Sequence, residues 1–121
     1  MSSPAKNWPL SRRGEVWTAK IGQPLRLHWV VVVSVDSRNR SNYIRSVLIV
    51  PFSSRGDNGP TTLRLESGES GLPGPSWIKG HFMNTIRKTQ LIERQPRPLS
   101  ERRMREVCAM IRRSFDPDAP Q

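Results

Sequence analysis

The sequence predicts a mainly β fold of the α+β class: a small barrel of short strands, closed at one end by a C-terminal α-helix. Several short segments alternate apolar and polar residues or are rich in β-branched residues, which is typical of strands. Eleven prolines and eight glycines supply turns between them. One segment near the C-terminus spaces its apolar residues as a helix does. A chain of 121 residues is the size of a single domain.

The first strand is predicted over residues 13–20. Val16 and Thr18 alternate there with Trp17 and Ala19, a pattern typical of a strand with one buried face.

The two central strands give the strongest signals. A turn at residues 21–24 leads to residues 27–36 (LHWVVVVSVD), which have β-branched residues on both faces. A polar connection at residues 37–42, with room for one helical turn, leads to residues 43–52 (YIRSVLIVPF). We expect these two strands to form the middle of the sheet.

Shorter strands separated by turn-rich loops follow, at residues 61–66, 76–79 and 88–93. The loops at residues 53–60 and 67–75 are rich in glycine and serine. Leu63 and Leu65 are expected to face inward, and a turn is expected near Thr85.

A terminal helix is predicted after Pro96 and Pro98, which end the sheet. Ser100 can cap the helix, and Glu101 suits its first turn. One apolar stripe follows helical spacing: Met104, Val107, Cys108, Ile111 and Phe115. Such a stripe predicts packing against the sheet rather than a cofactor site.

The charge narrows the possible partners. Twenty Lys and Arg residues stand against ten Asp and Glu, which gives a formal net charge of +10 and a pI near 11.4. Such a surface attracts polyanions. Nucleic acid is the first candidate, an acidic protein the second, and a membrane surface a weak third.

Several kinds of site lack support. The single cysteine, Cys108, excludes an intrachain disulfide and a thiolate zinc cluster, and two histidines without paired carboxylates predict no metal centre. Phosphate-loop, dinucleotide, zinc-protease and nucleophile-elbow motifs are absent, so no cofactor is expected. The longest apolar run, residues 29–33, is too short to span a membrane, and no signal-peptide pattern is present. We therefore expect a cytoplasmic protein without a membrane partner.

RNA cleavage needs none of these sites. The RNA supplies its own nucleophile, the 2′-hydroxyl. The protein has only to remove that proton, stabilise the phosphorane and protonate the leaving 5′-oxygen. His, Lys, Arg and Ser side chains suffice for this chemistry.

Short motifs along the chain carry a family resemblance. They are RGEVW at residues 13–17, VVVVSVD at 30–36, VLIVPFSS at 47–54, and SWIKGH at 76–81 followed by NTI at 84–86. In the same order they resemble the opening strand of the MazF/PemK toxins, that family's second strand, its strand ending in Pro-apolar-Thr/Ser, and its active-site strand with the turn after it. The resemblance spans residues 13–94, and the family also has a terminal helix.

The resemblance implies an SH3-like β-barrel of the CcdB/PemK-like superfamily that forms a homodimer. It implies the toxin of a type II toxin-antitoxin system, a metal-independent endoribonuclease that cleaves single-stranded mRNA to a 2′,3′-cyclic phosphate. An acidic antitoxin protein would hold such a toxin in check. The toxin domain is expected at residues 12–115, with a flexible arm at 1–11 and a disordered tail at 116–121.

The resemblance also implies catalytic residues. PemK-like members use an Arg as general acid and, two residues later, an Asp as general base, and these positions match Lys79 and His81. Residues two apart on a strand share a face, so both side chains are expected at one phosphate. Imidazole suits a base at neutral pH, whereas Lys keeps the charge of Arg without its bidentate geometry. The family's Thr matches Ser53, and its Arg before the second long strand matches His28, with Arg26 on the same face.

Other RNA-binding residues are expected on or beside the loops around that site: Arg13, Arg26, Ser54, Arg55, Thr85 and Arg87. The antitoxin is expected to cover part of the same surface, at Arg26, Arg55, Lys79 and Arg87, and thereby to exclude RNA.

Alternatives stay open. His81 and Lys79 also fit ordinary solvated residues, and His28 fits a half-buried histidine. Ser53 and Ser54 fit local turn hydrogen bonds. Three tryptophans are expected in the core or a dimer interface: Trp17, Trp29 and Trp77. Two other functions fit the same chain, namely a gyrase-inhibiting toxin of the CcdB type and a non-catalytic nucleic-acid-binding barrel.

Overall fold

A computed structural model describes residues 7–120. Within that range the strands are β1 (Val16–Ile21), β2 (Arg26–Val32), β3 (Ser46–Ser53), β4 (Thr62–Leu65), β5 (Ser76–Lys79), β6 (Asn84–Arg87) and β7 (Leu91–Arg94). The helices are α1 (Asp36–Asn39) and α2 (Glu101–Phe115), and two 3-10 turns span Gly80–Phe82 and Lys88–Gln90.

The strands form one antiparallel sheet in the order β4-β5-β3-β2-β1-β7, and β6 pairs with β3 beside this path. β3 is the strand that connects the parts. Its first residue, Ser46, pairs with Arg87 of β6, and its last, Ser53, pairs with Trp77 of β5. The mainly β class with a C-terminal helix is confirmed. The sheet curls without closing, because β4 and β7 stay at the two ends of the described path.

The central strands bury both faces. One face packs against α2 through residues such as Val31, Val50 and Val107. The other face packs against β6 and β7 through residues such as Val30 and Ile86. The prediction of one buried face for β1 was therefore wrong, since the helix covers one side of β1 and the curled sheet covers the other.

Several strand boundaries and one turn differ from the sequence-based prediction. β1 begins at Val16 rather than at residue 13, and β3 begins at Ser46 rather than at residue 43. The strand predicted to reach Asp36 ends at Val32, and Asp36 begins the predicted single helical turn. Thr85 lies in β6, paired with Leu48, rather than in a turn. The last strand begins at Leu91, because the residues before it form a 3-10 turn.

The terminal helix is capped as predicted, with the Ser100 hydroxyl accepting a hydrogen bond from the Arg103 backbone N–H at 3.1 Å. Most of the predicted stripe is buried, and Met110 joins it. Two stripe residues are exceptions: Cys108 is half-buried, and Phe115, the last helical residue, is 71% exposed. No helix among the described residues is long and apolar enough to cross a membrane.

The predicted arm at residues 1–11 and tail at residues 116–121 lie partly outside the described range, at residues 1–6 and 121. Within it, Ser11 and Ala119 are buried. Both segment predictions stay predictions.

Candidate functional site

An open groove of about 700 Å³ lies beside the C-terminal end of β3 and the β4–β5 hairpin. Its lining comes from the loop after β3, from the hairpin and from the 3-10 turn after the hairpin: Ser54, Arg55, Gly56, Asp57, Asn58, Thr62, Trp77, Lys79 and His81. Four of the site residues expected from the sequence therefore meet in one place, namely Ser54, Arg55, Lys79 and His81.

Lys79 and His81 reach the groove by different routes. Lys79 ends β5, where it pairs with Thr62 of β4, whereas His81 lies in the 3-10 turn that follows. The expectation that strand alternation aligns them was wrong, because the strand stops between them. The turn holds His81 against the hairpin instead, since the Gly80 N–H donates to the Thr61 carbonyl at 2.7 Å.

Thr61 also contacts the His81 imidazole directly. The Thr61 Oγ1 lies 2.9 Å from His81 Nδ1, within hydrogen-bond distance. This contact fixes the ring orientation and leaves Nε2 as the nitrogen without a protein partner among the described residues. Because His81 is exposed, Nε2 is open to a substrate in the groove.

Helix α2 supports the turn that carries His81. Gly80 is buried against the helix backbone, and a Cβ there would lie 2.9 Å from both the Ile111 nitrogen and the Met110 carbonyl carbon. Real Cβ atoms essentially never approach main-chain atoms that closely. Only glycine allows the turn to sit this close, so α2 sets the position of His81.

One aromatic ring joins the two candidate catalytic side chains. The Phe82 and His81 rings meet edge to face with centroids 4.5 Å apart, and the Lys79 ammonium lies 5.4 Å from the Phe82 ring centroid. Phe82 is 52% exposed, although it is apolar. The ring gives Lys79 an orientation without neutralising its charge.

The loop at residues 54–58 also lines the groove, where it packs on the Trp77 indole. A Cβ at Gly56 would lie 2.5 Å from Trp77 Cγ, so glycine lets the loop approach the ring closely. The Arg64 guanidinium lies 5.7 Å from the Trp77 ring centroid. Trp77 thus forms a groove wall rather than part of either core, whereas Trp17 is a core residue as predicted.

His28 and Ser53 line a neighbouring pocket of about 420 Å³, together with Trp29 and Phe52. The Ser53 hydroxyl donates to the Arg55 carbonyl at 2.8 Å and accepts from the Arg55 N–H at 3.2 Å. These are the local turn hydrogen bonds that the sequence left open as the alternative to a phosphate contact. Ser54 borders both the groove and this pocket, so the two are adjacent.

Four other expected RNA-binding residues lie away from the groove lining. Arg26 is exposed at the start of β2, and Thr85 is exposed on β6. Arg87 lines a third pocket. Arg13 is held elsewhere, because its guanidinium donates to Cys108 Sγ at 2.9 Å. The structure does not gather these four around His81.

Sequence reasoning missed several residues at the site: Asp57 and Trp77 line the groove, and Thr61 contacts His81. Asp57 adds one carboxylate to a lining that also includes the cations Arg55 and Lys79. Among residues 7–120, no three His, Cys, Asp or Glu side chains are grouped so as to hold a metal ion. The register of β4 against β5 is the signal that locates Thr61, and a long loop between the two strands hides it in the sequence.

Comparison with known protein families gives one match over most of the chain. Residues 12–115 match the family described as PemK-like, MazF-like toxins of type II toxin-antitoxin systems. No curated protein sequence matches the chain.

Solved structures share the fold. An endoribonuclease in complex with its cognate antitoxin from a mycobacterial species superimposes with a TM-score of 0.72 at 20% identity, covering 91% of this chain and 99% of the other. An endoribonuclease from a mycobacterial species gives 0.73 at 18% identity, covering 95% and 100%. The Mycobacterium tuberculosis toxin MazF-mt6 gives 0.73 at 16% identity, covering 86% and 98%.

Proposed function

Because this chain belongs to the PemK-like, MazF-like toxins of type II toxin-antitoxin systems, we propose that it is an endoribonuclease that cleaves single-stranded mRNA in the His81 groove. One observation carries the assignment of the site: a potential base and a cation, His81 and Lys79, line the same open groove. The +10 charge favours a polyanionic substrate.

His81 is the proposed general base. When its Nδ1–H donates to the Thr61 hydroxyl, the Nε2 lone pair is free to accept the proton of the RNA 2′-hydroxyl. The resulting 2′-oxyanion attacks the adjacent phosphorus. Thr61 acts through His81, so it is a positioning residue.

Lys79 and Arg55 are the proposed cationic groups for the phosphate. The Lys79 ammonium stabilises the negative charge that develops on the phosphorane and supplies a proton to the leaving 5′-oxygen. Arg55, on the loop after β3, binds a phosphate oxygen. The products are a 2′,3′-cyclic phosphate and a 5′-hydroxyl, and no metal ion takes part.

The pocket beside the groove is the proposed subsite for a flanking nucleotide. Its lining includes His28 and the Trp29 indole, and it continues from the groove across Ser54. His28 and Ser53 therefore contact RNA next to the scissile phosphate rather than at it. Arg26, two residues before His28 on β2, would meet the RNA backbone as it leaves this pocket.

Partners are proposed on the same basis. An acidic antitoxin would compete with RNA for the groove, where Arg55 and Lys79 are its targets. Arg26 and Arg87, which do not line the groove, would contact such an antitoxin only if it extends beyond it. We also propose that the protein is a cytoplasmic homodimer. One chain has a mass of 13.8 kDa. Sedimentation at micromolar concentration that shows only a species of this mass would contradict the dimer.

The deciding experiment is incubation of the purified protein with a long mRNA in the presence of EDTA, followed by mass spectrometry of the fragments. Cyclic phosphate ends with 5′-hydroxyls support the proposal, and 5′-phosphates or loss of activity in EDTA contradict it. Binding without cleavage would favour the non-catalytic barrel. Inhibition of gyrase with intact RNA would favour the CcdB-type function.

A further inference from the structure

The end of β3 that lies away from the groove carries another pocket. It has a volume of about 390 Å³ and is lined by Trp8, Arg45, Arg87 and Thr89. Arg87 pairs with Ser46 at the start of β3, whereas the groove loop begins after Ser53 at the other end. The strand between these ends spans about 23 Å, so this pocket is separate from the proposed catalytic site.

Positive charge is concentrated around this pocket. The Lys88 ammonium is fully buried and donates to the carbonyl oxygens of Arg38 and Ser41 at 2.9 and 2.8 Å. Burial, followed by the positive charge of Arg38, lowers the pKa of Lys88. Among the described residues, no carboxylate forms an ion pair with Arg38, Arg45, Arg87 or Lys88. The two pocket guanidinium groups are exposed and available to an anion.

An aromatic ring completes the pocket. The Trp8 ring lies 5.5 Å from the Lys88 ammonium, measured to the ring centroid, which anchors the indole. Trp8 is half-buried and lines the pocket. A fixed aromatic plane beside two guanidinium groups is the combination that binds a nucleotide, through base stacking and phosphate contacts.

We propose that this pocket is a second RNA-binding site that takes one nucleotide of a single strand. The base stacks on Trp8, Arg45 and Arg87 bind its phosphate, and the Thr89 hydroxyl hydrogen-bonds the same phosphate or the ribose. That the ligand is RNA rests on the proposed function. The site is sequence-tolerant, because every base has a π-face, and it adds affinity rather than chemistry.

RNA is favoured over an acidic protein segment because of the indole. A run of Asp or Glu side chains would use the guanidinium groups but would gain little from an aromatic plane. The two ligands therefore differ in their dependence on Trp8, and this difference is measurable.

The test measures binding of a short single-stranded RNA, made non-cleavable by 2′-O-methyl groups, by fluorescence anisotropy across a salt series. The Arg45→Gln/Arg87→Gln double variant should weaken binding at least about tenfold. It should also reduce the magnitude of the slope of log K against log salt concentration by about 1 to 2. Trp8→Ala should weaken binding roughly tenfold, and Trp8→Phe should retain most of it.

The matched control is Arg102→Gln/Arg105→Gln, which removes the same charge from exposed positions on α2. Circular dichroism establishes that each variant is folded. If the double variant at the pocket binds RNA no worse than the control, the proposal is overturned. If RNA binding is unchanged while binding of a polyglutamate peptide is lost, the site belongs to an acidic partner and the proposal is also overturned.

The outcome is independent of cleavage. A protein that cuts RNA but shows no loss in the pocket variants keeps the proposed function and loses this site. A protein that fails to cut RNA but binds it through Trp8, Arg45 and Arg87 keeps this site and loses the proposed function.

Discussion

Two lysines that lie near the opposite ends of β3 have contrasting environments. At the groove, Lys79 is half-buried and its ammonium lies over the Phe82 ring, with no side-chain hydrogen bond among the described residues. At the other end, Lys88 is fully buried and its ammonium donates to two backbone carbonyls. The Lys79 ammonium is oriented but accessible to a ligand, whereas the Lys88 ammonium is already hydrogen-bonded within the fold. Both residues are lysines, so it is their surroundings that give one a binding role and the other a structural role.

The largest expected effect is on RNA cleavage, from a substitution in the groove. His81→Ala should slow RNA cleavage at least about a hundredfold, because it removes the proposed general base. His28→Ala should slow it less, since His28 lies in the adjacent pocket. Single-turnover cleavage of a labelled RNA measures both rates. Cleavage at the normal rate by His81→Ala, with loss in His28→Ala, would show that the base has been assigned to the wrong histidine.

The same substitution at the two lysines tests the comparison directly. Lys88→Met should lower the free energy of unfolding by about 2 kcal/mol, because the carbonyls of Arg38 and Ser41 lose their donor. Relief of the buried charge offsets part of that loss. Lys79→Met should change stability by less than about 0.5 kcal/mol but should slow cleavage at least about a hundredfold.

Urea unfolding and cleavage assays on both lysine variants supply the two readouts. The comparison fails if Lys79→Met is the destabilised protein, or if Lys88→Met unfolds at the urea concentration of the wild type.

A smaller effect is expected at Thr61, which touches His81 but not the substrate. Thr61→Val keeps the shape of the side chain and removes the hydroxyl, so cleavage should slow by about tenfold as the imidazole loses its orientation. Thr61→Ser should restore most of the rate. The pH–rate profile should also move in Thr61→Val, because the hydroxyl no longer selects the tautomer. An unchanged profile would mean that Thr61 has only a structural role.

The sequence predicted the fold better than the site. β-Branched runs placed β2 and β3, and the apolar stripe with the Ser100 cap placed α2, because these signals are local. The groove depends on distant pairings that have no local signal. Thr61 reaches His81 only through the register of β4 against β5, and Gly56 reaches Trp77 only through a folded loop. The order of the motifs predicted that Lys79 and His81 share a site. It could not show that Arg87 lies at the other end of β3.

The smallest expected effect concerns the long loop between β4 and β5, which an ion pair joins to α2. The Arg103 Nε donates to Glu69 Oε1 at 2.8 Å, and this hydrogen bond lowers the pKa of Glu69. A carboxyl whose pKa is lower in the folded chain adds stability above its unfolded pKa and loses that contribution as the pH falls through the folded value. Glu69→Gln should therefore lower the free energy of unfolding by about 0.5 to 1 kcal/mol at neutral pH. The loss is limited because Glu106 remains 3.2 Å from the Arg103 guanidinium.

Urea unfolding at neutral pH and again below about pH 4 checks the sign, because the difference between Glu69→Gln and wild type should shrink on acidification. Glu66→Gln is the matched control, since its carboxylate pairs with Arg64 but is 65% exposed. It should have a smaller effect at either pH. A deficit in Glu69→Gln that stays constant with pH would show that packing, rather than the ion pair, holds this loop beside the His28 pocket.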